Sequence, residues 1–199
     1  MRKKLLLATN NKGKVREYRS LLSGVPFELV TMAEAGIDTV VSEDGESLEE
    51  NARLKARVLS RESGLVALAD DSGLEIDALG GEPGCRSARY AGEGASDKEL
   101  INYLLARLKD IPSEQRSARF RCVIAVAAPD GREGICDGEC RGFITLEPGG
   151  REGFGYDPIF YIPEAGKTMA ELSPADKNSI SHRGHAAKGV PSLLAELGI

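Results

Sequence analysis

Two neighbouring aspartates follow a short apolar run and are well suited to chemistry on phosphate. Asp70 and Asp71 come directly after residues 65–69 and precede Ser72-Gly73. We predict a strand that ends at these aspartates, and carboxylates at the carboxyl edge of a sheet suit Mg²⁺, which prefers a few carboxylates plus substrate phosphates. One carboxylate could also activate water as a general base. The alternative is turn chemistry, because Asp-Asp-Ser-Gly is also typical of a tight turn.

A polar turn near the start of the chain is a second candidate. The stretch ATNNKGK occupies residues 8–14, where we expect a strand to end and a helix to begin. The N-terminus of a helix offers unpaired N–H groups and a positive dipole end, both of which favour phosphate. Lys12 and Lys14 add positive charge. It is no Walker loop, since the G-x-x-x-x-G-K-[ST] pattern is absent, and the alternative is an N-capped turn with solvated lysines.

A third candidate is the glycine-rich stretch GGREGFGYDPIFY, residues 149–161. Glycines allow the backbone to approach a ligand closely, and the rings of Phe154 or Tyr156 could stack on a base. The alternative is a surface loop whose aromatic side chains pack back into the core.

Both histidines of the chain, His182 and His185, lie in a basic segment that also contains Lys177, Arg183 and Lys188. This segment could contact an anionic ligand, and the alternative is a solvated helix face. A metal site is disfavoured because no carboxylate or thiol lies close to the two histidines in sequence.

Hydrophobic periodicity indicates which elements must position these residues. Helices are predicted at residues 12–22, 47–63, 96–108 and 180–197, and strands at 4–9, 27–30, 65–69, 116–128, 133–144 and 159–162. Serine caps at Ser47 and Ser96, each followed three residues later by glutamate, mark two helix starts. Early alternation of strands and helices followed by a hairpin predicts an α/β fold with a mixed sheet.

Composition limits the class of protein. The chain has 199 residues, 41% of them hydrophobic and 29% charged, which suits a single domain over residues 1–199 with its own core. The net charge of −5 argues against a nucleic-acid surface. The apolar run at residues 5–8 is too short for a secretion signal, and no stretch approaches a membrane span.

The four cysteines indicate a reducing environment. They form no C-x-x-C pair, and with only two histidines elsewhere they show no zinc-ligand spacing. We therefore expect reduced thiols and a cytoplasmic protein.

Taken together and in order, six segments resemble the inosine triphosphate pyrophosphatase family, in its bacterial form. The segments are residues 8–14, 50–56, 69–84, 87–92, 153–160 and 171–184. The resemblance implies Mg²⁺-dependent attack of water on a deaminated purine nucleoside triphosphate (ITP, dITP or XTP), which yields the monophosphate and pyrophosphate. It also implies a homodimer and an elongated mixed sheet flanked by helices, with two lobes and a nucleotide cleft between them.

The resemblance also implies roles for particular residues. Asp71 is expected to be the general base and a metal ligand, with Asp70 a further candidate ligand. The expected substrate-binding residues are Thr9, Asn10, Asn11, Lys12, Gly13, Lys14, Lys55, Ser72, Phe154, Gly155, Tyr156, Asp157, Lys177, His182 and Arg183.

Within that set, His182 and Arg183 are expected to recognise the base. Arginine always donates hydrogen bonds, so it can bond to the oxygen at C6 of hypoxanthine and xanthine. Adenine carries an amino group at C6, which is itself a donor and cannot accept from arginine. His185 is expected to be only a surface residue.

This chain departs from the family pattern at two positions. Position 10 is Asn where the family often has Gly, and position 42 is Ser where members often place a metal-binding Glu. Glu43 is adjacent and is the candidate replacement.

Two other functions remain open from the sequence. One is a Maf-like pyrophosphatase for other modified nucleotides, which should lack the Ser-His-Arg segment, and the other is a nucleotide sensor without activity. Asp70, Asp71 and Lys14 argue against a sensor, which needs no base. Since we find no Ser-His or Cys-His arrangement, direct attack by water fits better than a covalent intermediate.

Overall fold

The fold is an open mixed β-sheet with helices, seen in a computed structural model that describes residues 3–199. Residues 1 and 2, which precede the apolar run considered above for a secretion signal, lie outside the described residues. The strands are β1 (Lys3–Leu7), β2 (Phe27–Thr31), β3 (Val66–Ile76), β4 (Pro83–Gly84), β5 (Ser117–Ala127), β6 (Glu133–Ile144), β7 (Phe160–Ile162) and β8 (Lys167–Thr168). Their order in the sheet is β2-β1-β3-β5-β6-β7-β8, and β4 pairs with β3.

The sheet is mixed because its early and late pairs run in different directions. Strand β1 pairs parallel with β2 and with β3, whereas the pairs β3–β4, β6–β7 and β7–β8 are antiparallel. The predicted α/β class with a mixed sheet is therefore confirmed.

The described residues form six α-helices, two of which begin at the serine caps that the sequence indicates. They are α1 (Lys12–Leu21), α2 (Leu48–Ser63), α3 (Asp97–Arg107), α4 (Pro174–Ile180), α5 (His182–Lys188) and α6 (Val190–Glu196). At α2 the Ser47 side chain accepts from the Glu50 N–H, which is one of the two hydrogen bonds of the predicted capping box. The other is replaced, because the Glu50 carboxylate accepts from the Glu46 N–H at 2.8 Å. At α3 the complete box of Ser96 and Glu99 is present.

The strand predicted at residues 65–69 continues through the two aspartates to Ile76, so the prediction that Asp70 and Asp71 end a strand is wrong. The turn-like Asp-Asp-Ser-Gly is instead extended backbone. Leu74 and Ile76, two residues apart, are both fully buried, and their burial in the core stabilises the extended backbone as far as Ile76.

Gly73 is the position at which that extension depends on glycine. A Cβ at residue 73 would overlap the carbonyl of Gly84 in β4, which pairs with β3 at this point. Gly73 therefore allows two backbones to approach closely.

Gly73→Ala is expected to lower the free energy of unfolding by about 1–3 kcal/mol, because the clash is with backbone that cannot rotate away. Gly24→Ala is the control, since nothing lies within 4 Å of a Cβ at residue 24. Denaturant unfolding of both variants tests this expectation, and equal midpoints would contradict it.

The single helix predicted over residues 180–197 is wrong, because α4, α5 and α6 divide this part of the chain. Ser181 is extended at φ −74° and ψ 157° and ends α4. The break before α6 falls at Gly189, and Pro191 stands in the first turn of α6, where a missing N–H costs nothing.

The chain divides into two compact units. Unit 1 comprises residues 1–71, 122–138 and 183–199, and unit 2 comprises residues 72–121 and 139–182. Strands β3, β5 and β6 contribute residues to both. The single domain and the cleft expected from the sequence stay predictions.

Each unit has its own apolar core. The core of unit 1 includes Leu5, Tyr18 and Ile124, and that of unit 2 includes Leu104 and Phe160. Within residues 3–199 no helix combines the length and the apolar character needed to cross a bilayer.

Candidate active site

In unit 1, three acidic residues and one lysine meet at the middle of β3. The Lys55 Nζ lies 2.8 Å from the Glu43 Oε1, 3.6 Å from the Asp71 Oδ1 and 2.6 Å from the Asp70 backbone oxygen. We call Glu43, Asn51, Lys55 and Asp71 the Asp71 cluster. The structure thus brings together the expected base, the expected phosphate-binding lysine and Glu43, the candidate metal ligand in place of a glutamate at position 42.

Asn51 belongs to this cluster although the sequence did not single it out. Its Nδ2 donates to the Asp71 Oδ2 at 3.0 Å, and its Oδ1 accepts from the Gly45 N–H at 2.9 Å. Asn51 and Lys55 are one helical turn apart on the buried face of α2. That spacing of a polar residue and a lysine within an otherwise apolar stripe was the available signal.

Burial and charge act in opposite directions on Asp71. Removal from water raises the pKa of Asp71 and the Glu43 carboxylate adds to this, while Lys55 and Lys14 lower it, and the net pKa lies above the ordinary value. For Lys55, burial lowers the pKa, but Asp71 and Glu43 outweigh it and the net pKa is raised. Lys55 is therefore a permanent cation, and Asp71 is a carboxylate more basic than usual.

Asp70 faces a different set of partners, which we call the Asp70 cluster: Lys14, Glu17, Asp70 and Arg183. The Asp70 Oδ2 lies 3.0 Å from the Lys14 Nζ and accepts from the Arg183 Nε and Nη2, both at 3.3 Å. Arg183 also donates from Nη1 to the Glu17 Oε2 at 2.6 Å. Burial raises the pKa of Asp70, but Lys14 and Arg183 outweigh it, and the net pKa is well below its usual range.

The two clusters differ in net charge. With every group ionised, the Asp70 cluster is neutral, whereas the Asp71 cluster carries a net charge of −1. Its two carboxylates, Glu43 and Asp71, offer the oxygen atoms that Mg²⁺ prefers as ligands. The Asp71 cluster therefore fits a divalent cation, whereas Asp70, the other metal candidate, already has two cations as partners.

Within residues 3–199 no group of three or more Asp, Glu, His or Cys side chains is arranged to hold a metal by itself. Two carboxylates are consistent with Mg²⁺, which usually takes one or two from protein and completes its shell with water and phosphate.

The polar turn at residues 8–14 has the geometry of an N-cap. The Asn11 Oδ1 accepts from the N–H groups of Gly13 and Lys14 at 2.8 and 3.1 Å, and the Asn11 N–H donates to the Thr9 Oγ1 at 3.2 Å. Two of the N–H groups expected to meet phosphate are thus used locally. Asn10 and Lys12 are exposed, and Lys14 is the residue of this turn that reaches the acidic groups.

In unit 2, the glycine-rich stretch forms what we call the 153–157 loop, closed on itself by Asp157. The Asp157 Oδ2 accepts from the Phe154 N–H at 2.8 Å and from the Lys177 Nζ at 2.6 Å. The Lys177 ammonium also lies 4.8 Å from the centre of the Phe154 ring, a distance at which a cation is attracted to an aromatic face. The Tyr156 hydroxyl donates to the Ser87 carbonyl at 2.9 Å.

The two histidines lie in different surroundings. His182 is buried and stacks on Phe120 with the ring centres 4.7 Å apart, whereas His185 is exposed. Arg183 is fully enclosed and ion-paired in unit 1, a placement that the sequence did not indicate. Its role in recognising the base stays a prediction.

The comparisons with known proteins agree on one family. The Ham1 family model matches residues 5–192. This chain belongs to the Ham1 family. The match includes all six segments on which the resemblance was based, and the prediction of family is confirmed.

Two relatives carry a name that describes an activity. This Ham1 chain is 51% identical over 187 residues to a dITP/XTP pyrophosphatase of Shigella flexneri, and the alignment covers 93% of this chain and 94% of that protein. It is 50% identical over 196 residues to a dITP/XTP pyrophosphatase of Desulforamulus reducens, with 98% of each covered.

Solved structures of Ham1 proteins share the fold. The HAM1 protein of Coxiella burnetii matches with a TM-score of 0.87 at 42% identity, covering 98% of this chain and 99% of that one. The Ham1 protein of Staphylococcus aureus matches with a TM-score of 0.85 at 40% identity and the same coverage.

Proposed function

We propose that this protein hydrolyses deaminated purine nucleoside triphosphates (dITP, XTP and ITP) to the monophosphate and pyrophosphate, and so removes them from the nucleotide pool. The observation that carries the proposal is the buried Asp71 carboxylate held beside Lys55 and Glu43. It occurs in a chain that shares half its residues with proteins named dITP/XTP pyrophosphatase.

The chemistry follows from the two clusters of unit 1. The ammonium groups of Lys14 and Lys55 attract the triphosphate and offset its negative charge. If that charge were not offset, the anionic phosphate would repel the attacking nucleophile. Asp71, more basic than usual, accepts the proton of the attacking water. Asn51 donates to one oxygen of Asp71 and so fixes the direction of the other. The water oxygen forms a bond to the α-phosphorus, the bond from that phosphorus to the oxygen bridging to the β-phosphate breaks, and pyrophosphate leaves on the side opposite the water.

Glu43 and Asp71 would hold Mg²⁺. When bound, the ion supplies charge neutralisation and polarises the phosphoryl oxygens. Ser42 occupies the position at which the family resemblance led us to expect a glutamate, and its hydroxyl donates to Asp44 at 2.5 Å.

Unit 2 supplies the proposed nucleoside-binding residues. Phe154 is half-buried, so part of its ring meets solvent and can stack on a base. Lys177 and Asp157 are buried, 5% and 3% exposed respectively, and they fix the loop that carries Phe154. We further propose that the protein acts in the cytoplasm as a homodimer, to be checked by light scattering, and that it has no nucleic-acid or membrane partner.

A panel of nucleotides tests the function. Purified protein with Mg²⁺ is given dITP, ITP, XTP, GTP, dATP and dTTP, and release of pyrophosphate is measured. We expect kcat/KM for dITP, ITP and XTP to exceed the others by about tenfold or more, the effect of one or more unpaired polar groups in a base pocket. Preference for dTTP would instead indicate a Maf-like enzyme, and binding without pyrophosphate release would indicate a sensor.

Metal dependence gives a second prediction. Excess EDTA is expected to abolish activity, and Glu43→Gln is expected to raise the Mg²⁺ concentration for half-maximal activity by about tenfold or more. Asp44→Asn is the control, because Asp44 is an exposed neighbour whose contact is with Ser42. An identical Mg²⁺ requirement in the parent protein and Glu43→Gln would remove Glu43 from the metal site.

A further inference from the structure

We propose that Asp97 is a positioning residue whose carboxylate fixes the peptide of Gly155 and thereby sets the orientation of Phe154 against the base. This inference rests on the proposed function, because it takes the 153–157 loop as the nucleoside-binding element. Asp97 is the first residue of α3, distant in sequence from that loop, and both lie in unit 2.

The loop is held at three points by side chains. Asp157 accepts from the Phe154 N–H at 2.8 Å, the Tyr156 hydroxyl donates to the Ser87 carbonyl at 2.9 Å, and the Gly155 N–H donates to the Asp97 Oδ2 at 2.8 Å. The first two anchors come from side chains of the loop itself. The third anchor differs, because the Asp97 side chain comes from α3 and not from the loop.

The Asp97 hydrogen bond is important because the loop contains glycines with a wide choice of backbone conformations. Gly153 and Gly155 both have positive φ, 78° and 61°, and glycine adopts both signs of φ with little cost. A loop with two such residues has several accessible backbone conformations, so its hydrogen bonds decide which one is populated. The bond to Asp97 holds the peptide that joins Phe154 to Gly155 and so fixes the rotation that aims the Phe154 side chain.

Helix capping does not account for the Asp97 contact. The N-terminus of α3 is already capped by Ser96 and Glu99, which accept from each other's N–H groups in a complete capping box. The Asp97 carboxylate is instead directed at the loop. Its substitution therefore separates loop position from helix formation.

The Phe154 ring is where this position has consequences. One contact of the ring is the Lys177 ammonium, 4.8 Å from its centre, and Lys177 is bound to Asp157. The Phe154 ring sets the orientation of a base stacked on it. If the ring rotates, the edge of the base is displaced from the polar groups that recognise it. Selection between bases should then fall, while groups that bind only phosphate are unaffected.

The experiment compares Asp97→Ala with Ser96→Ala. We expect Asp97→Ala to reduce the ratio of kcat/KM for dITP to that for dATP by about tenfold, since displacements near 1 Å can cost 10²-fold. The inhibition constant of inorganic tripolyphosphate, which has no base, should stay within about twofold. Ser96→Ala weakens the same helix end and should lower Tm while leaving the substrate ratio unchanged.

Two further measurements separate positioning from a general loss of structure. Asp97→Asn keeps an acceptor oxygen for Gly155 and should retain most of the selectivity. Hydrogen exchange at the Gly155 amide should be faster in Asp97→Ala than in Asp97→Asn or Ser96→Ala, and this readout is independent of activity. In a Phe154→Ala background, adding Asp97→Ala should change selectivity little, because residues that act through one another are not additive.

Each outcome has a definite meaning. A parent protein inactive on dITP overturns the proposed function and this inference together. A parent active on dITP whose Asp97→Ala variant keeps its selectivity overturns the inference alone, as does an equal loss in Ser96→Ala. If Asp97→Ala does not fold, Asp97→Ser, which keeps a residue suited to a helix start but is too short to reach Gly155, takes its place with the same expected loss.

Discussion

Asp71→Asn is expected to lower kcat by ~10²–10⁴-fold, the usual contribution of a general base, and to leave the fold and nucleotide binding intact. Asparagine has the same shape, and its amide oxygen can still accept from the Asn51 Nδ2 that now bonds to Asp71. Lys55 keeps the Glu43 carboxylate and the Asp70 carbonyl as partners. What the variant loses is the basic oxygen that accepts the proton from water, together with the negative charge that Asp71 would offer to Mg²⁺.

Asp110→Asn provides the control for this substitution. The Asp110 side chain is 86% exposed and lies away from both clusters in sequence, so the same chemical change there should leave kcat as in the parent. Steady-state kinetics with dITP and a calorimetric titration with a non-hydrolysable analogue give the two readouts. Turnover by Asp71→Asn within about threefold of the parent would show that Asp71 is not the base.

Arg183→Ala is expected to have the second-largest effect, on stability and on catalysis together. The variant leaves the buried Asp70 and the partly buried Glu17 without the guanidinium that they share, and breaking a buried pair costs about 3–5 kcal/mol. Asp70 also pairs with Lys14, so a displaced Asp70 carries that ammonium away from the phosphates. We therefore expect kcat/KM to fall by at least about tenfold, for dITP and dATP alike.

The pattern of the loss separates two roles for Arg183. An equal fall for both substrates indicates that Arg183 acts through Asp70 and Lys14. A much larger fall for dITP would instead support recognition of the base, the role predicted from the sequence. His185→Ala is the matched control on the same helix, because His185 is exposed, and it should change neither substrate.

Local patterns in the sequence were sufficient for most elements. Helix α2 begins after Ser47 and ends at Gly64, whose φ of 67° suits glycine, and α3 begins with its capping box. Strand β6 has the predicted bounds. These signals are contained within a few residues, so neighbours in space were not needed to read them.

The longer extension of β3 could not be read in this way. Asp-Asp-Ser-Gly has the composition of a turn, and it is extended because Gly73 lies against the Gly84 backbone while Leu74 and Ile76 enter a core. The division of the last predicted helix was not indicated by periodicity either. Ser181 has extended backbone at φ −74° and ψ 157°, whereas Gly189 keeps helical angles and lies so close to the Cys136 side chain that a Cβ would clash with it.

By itself, the sequence determined the family, the mixed α/β class and the residue types of the site, because motifs and periodicities are local and directly legible. Only the tertiary structure decided which partner each charge has. Asp70 and Asp71 are adjacent in sequence, yet neighbouring side chains of a strand point to opposite faces. Asp70 therefore contacts Lys14 and Arg183, whose positive charges balance its own. Asp71 instead lies beside Lys55, Glu43 and Asn51, and its pKa is raised.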